Sequence, residues 1–199
     1  MEPQVGEVTA TVSVGVLLAP PPEELGGWLA DAAAFDSAGA DAIWVDLPSG
    51  TGLDPLAVTA ALASLTFRSL LVAALPRSPG GWRADTLATI ARLSHGRLAL
   101  CGEPSAFADL TEGDEGRPDL ALFRRLDDGV FERASAGGTP ERWMRTASPE
   151  GRAAWRVALA EAAERGVGGL LVPAGPRLLD ILRNPDARGD RSDLQLAQG

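Results

Sequence analysis

This sequence of 199 residues contains no lysine and no tyrosine, and it has a single cysteine and a single histidine. One cysteine excludes an internal disulfide framework and indicates a reducing compartment. One histidine excludes histidine-rich metal sites and argues against a catalytic triad, so we expect no metal site. No apolar run approaches the roughly 18 residues that a membrane helix needs, and the start lacks the basic region of a secretory signal. We therefore expect a cytoplasmic protein.

Basic charge is also scarce, because 18 arginines stand against 27 acidic residues and give a formal net charge of -9. An acidic chain without a basic run is a poor candidate for binding nucleic acid or an anionic membrane, so a small-molecule substrate is the expected partner. The length and the hydrophobic content of 45% suit one globular domain spanning residues 1–199.

What the sequence does contain is an alternation of short apolar runs with helical patterns. In the first half, strands are predicted at 10–19, 42–47, 69–75 and 98–101. Because these runs are apolar on both faces, they indicate parallel strands covered by helices. The right-handed crossover rule then allows an open doubly wound sheet or a barrel.

The second half is less regular. An acidic segment at about 104–141 has no clear period, apart from a short helix predicted at 119–126. Order returns with a strand at 143–147, a helix starting at 148–150, a strand at 169–173 and a helix at 176–182, and a loose tail is expected from about 184. Only about six strands are predicted in all.

Three segments resemble the bacterial luciferase-like family of flavin- and deazaflavin-dependent oxidoreductases. They are FDSAGADAIWV (35–45), LDPLAVTAALASLTFRSLLVAAL (53–75) and LATIARLSHGRLALCGE (87–103), and the segment at 146–173 is similar with lower specificity. The resemblance implies a TIM-barrel-like (β/α) barrel that binds FMN or coenzyme F420 at the carboxyl ends of its strands. It further implies an oxidoreductase of the monooxygenase type acting on an unknown small organic substrate.

Departures from the family pattern keep other hypotheses open. A complete barrel of this kind usually takes about 250 residues, so the barrel is expected to be shortened or incomplete, lacking its fifth and sixth strands. The family's phosphate-contacting turn is absent from the same region. A cofactor-free homologue acting as a structural or regulatory subunit is therefore the alternative, and an open α/β sheet binding a ligand where its strand order reverses is a third. An incomplete barrel exposes sheet edges, which predicts a homodimer or pairing with a related subunit.

The candidate site follows from the strand ends, where parallel barrels hold their chemistry. Asp46 and Glu103 are the candidate catalytic residues, because carboxylates there can contact substrate or transfer protons. Their structural alternatives are a turn-capping aspartate and a solvated loop glutamate. The candidate cofactor-binding residues are Trp44, Ala74, Leu75 and Gly102.

Three other residues near this site are assigned structural roles. Cys101 lies in an apolar strand, which predicts a buried and unreactive thiol. His95 lies at a helix carboxyl end, where its charged form is favoured by the helix dipole. Arg97 follows a glycine turn and is expected to bind a carboxylate or backbone carbonyl groups.

Overall fold

The structure is a computed structural model. It describes residues 11–48, 50–75, 84–103, 120–134 and 139–185. Its strands are β1 (Ser13–Leu17), β2 (Ala42–Val45), β3 (Leu70–Ala74), β4 (Leu98–Gly102), β5 (Ala121–Asp127), β6 (Val130–Arg133), β7 (Glu141–Arg145) and β8 (Gly169–Pro173). Its helices are α1 (Leu25–Ser37), α2 (Pro55–Ala63), α3 (Ala84–Leu93), α4 (Arg152–Glu164) and α5 (Pro176–Arg183).

The eight strands form a closed barrel in sequence order, in which β8 pairs with β1. Six of the eight pairings are parallel, whereas β6 is antiparallel to both β5 and β7. The predicted α/β barrel is thus present, but it is mixed rather than wholly parallel, and it is closed rather than incomplete. Closure also contradicts the alternative of an open sheet.

The elements predicted in the first half are confirmed, and local chemistry explains several of their ends. Asp54 caps α2, because its Oδ1 accepts hydrogen bonds from the backbone N–H groups of Leu56 (2.8 Å) and Ala57 (2.9 Å). Gly39 follows α1 with a φ of 94°, the left-handed conformation that ends helices. These residues determine where α2 begins and where α1 ends.

The short helix predicted at 119–126 is wrong, because this segment forms β5. Along β5 the buried Phe123 alternates with the exposed Arg124, and Arg125 turns inward again. Such alternation is typical of an antiparallel strand with one solvated face. Asp128 and Gly129 make the turn to β6, with Gly129 at a φ of 76°. A hairpin therefore supplies the strands that the sequence lacked, and the remainder of the irregular segment, at 104–119 and 135–138, lies outside the described residues.

The core has an inner and an outer layer. Inside the barrel, aromatic and small side chains from alternate strand positions pack together, including Trp44, Phe123, Phe131 and Trp143. Outside it, the other strand faces pack in one cluster against α1, α2, α4 and α5 and in a second cluster against α2 and α3. The interior of the barrel is a packed core and not a channel, as expected for eight strands.

Two strand glycines make room for the indole of Trp143. A Cβ at Gly169 would lie 2.3 Å from Cδ2 of Trp143, and one at Gly15 would lie 2.7 Å from its Cζ3. No real side chain tolerates such distances, so these positions on β8 and β1 require glycine for packing rather than for a turn.

At the amino-terminal ends of the strands, Arg97 has the structural role predicted for it. Its guanidinium donates hydrogen bonds to the carbonyl oxygens of Ser69 (2.8 Å) and Thr66 (2.7 Å). It thereby joins the turn before β4 to the turn before β3. His95 lies in the same turn, with a left-handed φ of 53°, and contributes backbone geometry there. Within the described ranges, no helix is both long and apolar enough to cross a bilayer.

Candidate functional site

The carboxyl ends of the parallel strands gather charged side chains at one end of the barrel. We call Asp46, Cys101, Glu103, Arg125 and Phe131 the mouth cluster. Asp46 follows β2, Glu103 follows β4, and Arg125 lies in the carboxyl-terminal half of β5. Cys101 and Phe131 belong to the packed interior directly beside them. Both candidate catalytic residues therefore lie where strand-end chemistry is expected.

Arg125 is the centre of the mouth cluster. Its Nη2 lies 3.8 Å from Oδ2 of Asp46, and both side chains are partly exposed, at 34% and 43%. Its guanidinium carbon lies 5.8 Å from the ring centroid of Phe131, within the range of a cation–π contact. Its Nε is buried and has no hydrogen-bond partner among the described residues. The side chain of Arg125 also interacts with the thiol of Cys101. The guanidinium is thus held by one ring, one distant carboxylate and one thiol, and the donor capacity of its Nε is unused among the described residues.

Cys101 is fully buried beneath these charges. Burial raises the pKa of its thiol to about 12; the positive charge of Arg125 acts in the opposite direction, and the carboxylates of Asp46 and Glu103 raise it further. The thiol is therefore protonated at neutral pH, which confirms the prediction of an inert cysteine. Glu103 has the smallest effect of these groups on the thiol.

An aromatic floor, which includes Phe131, lies below the charged residues of the mouth cluster. The ring of Trp44 lies 4.8 Å from the rings of both Phe123 and Phe131, and Phe123 lies 5.5 Å from Trp143. The indole nitrogens of Trp44 and Trp143 are buried and have no hydrogen-bond partner within the part of the chain that the structure describes. These rings form an apolar surface beneath the charges, while Arg125 and Asp46 themselves stay partly exposed to solvent.

The four candidate cofactor-binding residues occupy different surroundings. Trp44 is 1% exposed in the aromatic floor, and Ala74 packs in the same interior. Leu75 packs with the layer of α2 and α3 outside the barrel, so only its backbone is available at the mouth. Gly102 is buried near the end of β4 and pairs with Arg124 of β5. Their role in binding a cofactor stays a prediction.

Arg125 is the residue that sequence reasoning missed, because its segment was predicted to be helical. The alternation of Phe123, Arg124 and Arg125, followed by Asp128–Gly129, is the pattern of a hairpin strand and could have located it. Among the residues that the structure describes, no group of three or more histidine, cysteine, aspartate or glutamate side chains could hold a metal ion.

The geometry defines a class of protein: a mixed, closed α/β barrel with a charged mouth. No protein-family model matches the chain, and no curated protein sequence matches it. Among solved structures it is similar to the oxygenating constituent of 3,6-diketocamphane monooxygenase from the CAM plasmid of Pseudomonas putida, a type II Baeyer–Villiger monooxygenase in complex with FMN. The identity is 14% and the TM-score 0.40, over 88% of this chain and 62% of the other.

A second similar structure is the monooxygenase RslO1 from Streptomyces bottropensis. The identity is 18% and the TM-score 0.37, over 87% of this chain and 65% of that protein. This chain thus spans less than two thirds of the length of either monooxygenase. Similarity at this level does not establish a family.

Proposed function

We propose that this chain is a flavin-dependent oxidoreductase of the luciferase-like, monooxygenase type, with its site at the barrel mouth. The proposal is carried by one observation: Asp46, Glu103 and Arg125 converge at the carboxyl ends of the strands over a dry aromatic floor. The three segments that resemble the family form the strands and helices leading to this point. The substrate is a small organic molecule of unknown identity.

The residues at the mouth fit the pyrimidine edge of a flavin. That edge bears carbonyl oxygens and gains negative charge on reduction, and Arg125 offers a cation whose buried Nε has no partner among the described residues. For the phosphate, the candidate is the amino terminus of α5. There Gly175 provides no side-chain cap, and Arg177 lies in the first turn. FMN suits this arrangement, and F420 is the second candidate.

When bound, the flavin would supply hydride transfer or oxygen activation. The chain's own residues would orient the substrate and exclude water. Arg125 would hold an anionic oxygen, because a guanidinium donates hydrogen bonds without losing its proton. Asp46 and Glu103 would accept hydrogen bonds from the substrate and could exchange a proton with it.

The test is titration of FMN and of F420 with the full chain, in which the fluorescence of the cofactor measures binding. Arg125→Gln should weaken FMN binding about tenfold, the loss expected for one charge-assisted hydrogen bond. Arg124→Gln is the matched control, because Arg124 lies on the same strand, faces outward and pairs with Glu132. Asp46→Asn and Glu103→Gln should lower turnover while the fold is retained. If neither cofactor binds at millimolar concentration, the proposal fails.

The cofactor-free homologue remains the second candidate, and one observation favours it. The four aromatic rings fill the barrel interior, so the described part of the barrel has no internal slot for a flavin ring. A cofactor would have to lie above the floor. Absence of cofactor binding in the titration would support this structural or regulatory role.

A further inference from the structure

A groove in the helical layer lies apart from the mouth cluster. It is formed by α4, α5 and the residues that end α1, and its volume is about 390 Å³. Pockets for small ligands usually measure roughly 300–1,000 Å³, so the groove is large enough for a compact molecule. It shares no residue with the mouth cluster. The groove is therefore a separate site from the one on which the proposed function depends.

The walls of the groove are apolar. Trp155 and Leu159 line it from α4, and Ile181 and Leu182 line it from α5, with Val14 of β1 behind them. Trp155 and Ile181 are only 6% and 3% exposed, so they belong to the fixed core rather than to a mobile surface. A preformed apolar wall of this kind suits an aliphatic or aromatic body.

The charged residues of the groove are two arginines, and among the described residues no carboxylate lines it. Arg152 is already engaged, because its Nη2 lies 2.6 Å from Oδ2 of Asp180 and its Nε donates to the carbonyl oxygen of Asn184. Arg156 donates from Nε to the carbonyl oxygen of Arg152, but it has no ion pair among the described residues. Arg156 is therefore the guanidinium of the groove that has no carboxylate partner among the described residues.

We propose that this groove binds a small amphipathic carboxylate. The apolar body would lie along Trp155 and Leu159, and the carboxylate would bind the guanidinium of Arg156, whose planar fork matches it. A singly charged head is favoured over a phosphate dianion, because the carboxylate of Asp180 lies beside the neighbouring Arg152.

The probe is octanoate, titrated into the full chain by calorimetry, and octan-1-ol is its uncharged match. Octanoate should bind about tenfold more tightly than octan-1-ol, because only the carboxylate engages Arg156. Hexanoate should bind more weakly than octanoate, by roughly fourfold for each methylene removed from the apolar wall. Equal affinity for octanoate and octan-1-ol would overturn the assignment of the anionic head.

Two variants and one control locate the site. Arg156→Gln should weaken octanoate binding about tenfold and leave octan-1-ol binding unchanged, whereas Leu159→Trp should fill the groove and abolish both. Arg165→Gln is the control, because Arg165 follows the same helix and pairs with Glu161. The proposal is overturned if octanoate does not bind at millimolar concentration. It is also overturned if Arg156→Gln and Arg165→Gln weaken octanoate binding equally. It is also overturned if Leu159→Trp dissociates a dimer instead, since the groove would then hold a second copy.

Discussion

The buried carboxylate of Asp36 holds the turn between α2 and β3. It is 3% exposed, and it accepts hydrogen bonds from the backbone N–H groups of Phe67 (2.9 Å), Arg68 (3.0 Å) and Ser69 (2.7 Å). Burial by itself raises the pKa of this carboxyl, but the hydrogen bonds from Ser69, Phe67 and Arg68 outweigh burial and lower the pKa below its ordinary value of 3.8. The ionised form is therefore the one that stabilises the fold.

Asp36→Asn should lower the free energy of unfolding by about 3 kcal/mol at neutral pH, because the amide presents an N–H group to backbone donors. The measurement is denaturant unfolding. Asp31→Asn is the control, because Asp31 is an exposed carboxylate on the same helix. Equal stability of the two variants would contradict the role given to Asp36.

The pH dependence of that stability has a definite sign. Because the folded pKa of Asp36 lies below the unfolded one, its stabilisation is complete above pH 3.8 and is lost as the pH falls through the folded pKa. The difference in unfolding free energy between the wild type and Asp36→Asn should therefore shrink on acidification. A difference that grew with acid would be inconsistent with the lowered pKa.

Among the elements, the hairpin of β5 and β6 closes the barrel. Gly129 in its turn has a φ of 76°, and a Cβ there would lie 3.1 Å from Cβ of Arg145. Gly129→Ala should lower the unfolding free energy by about 1–2 kcal/mol, because side chains disfavour the left-handed conformation. Gly129→Asn should lower the unfolding free energy by less than Gly129→Ala does, since asparagine tolerates the left-handed conformation.

The matched control for the hairpin is Gly26→Ala in α1. A Cβ at Gly26 meets nothing within 4 Å, so alanine should keep stability unchanged or raise it by up to about 1 kcal/mol. Thermal or denaturant unfolding of the three variants measures both effects. If Gly129→Ala were as stable as Gly26→Ala, the left-handed conformation of Gly129 would not contribute to the stability of the hairpin.

Most of the strands that sequence alone predicted have continuous apolar runs; the exception is the strand predicted at 143–147, which is β7 and lies two residues earlier, at Glu141–Arg145. β1 to β4 and β8 are buried on both faces, so composition and length are enough to find them. β5 and β6 have one solvated face. Their arginines interrupt the alternation of apolar and polar residues that identifies a strand. The same contrast applies to the site: Asp46 and Glu103 follow from strand ends, whereas Arg125 depended on a strand that was not predicted. That β8 pairs with β1 is a tertiary property that no local pattern contains.

The surface of the molecule has one apolar face that suits self-association. The homodimer was predicted from open sheet edges, and the closed barrel removes that reason. Another remains: Leu65, Phe67 and Leu93 are 43%, 75% and 50% exposed near the carboxyl ends of the neighbouring helices α2 and α3. Helix α2 itself carries no charged residue. The exposed residues that adjoin Phe67 and Leu93 in sequence, Arg68 and Arg92, are basic and not acidic. On an acidic protein, an apolar face of this kind is where two copies can meet with little repulsion.

We therefore expect a homodimer that uses this face, and Phe67→Asp should dissociate it. The introduced charge would be buried between two negatively charged copies, which should raise the dissociation constant by at least tenfold. Sedimentation equilibrium over micromolar concentrations measures this constant. Val157→Asp is the control, because Val157 is 57% exposed on α4, away from α2 and α3. A wild-type monomer throughout that range would disprove the dimer, and equal dissociation by both variants would place the contact elsewhere.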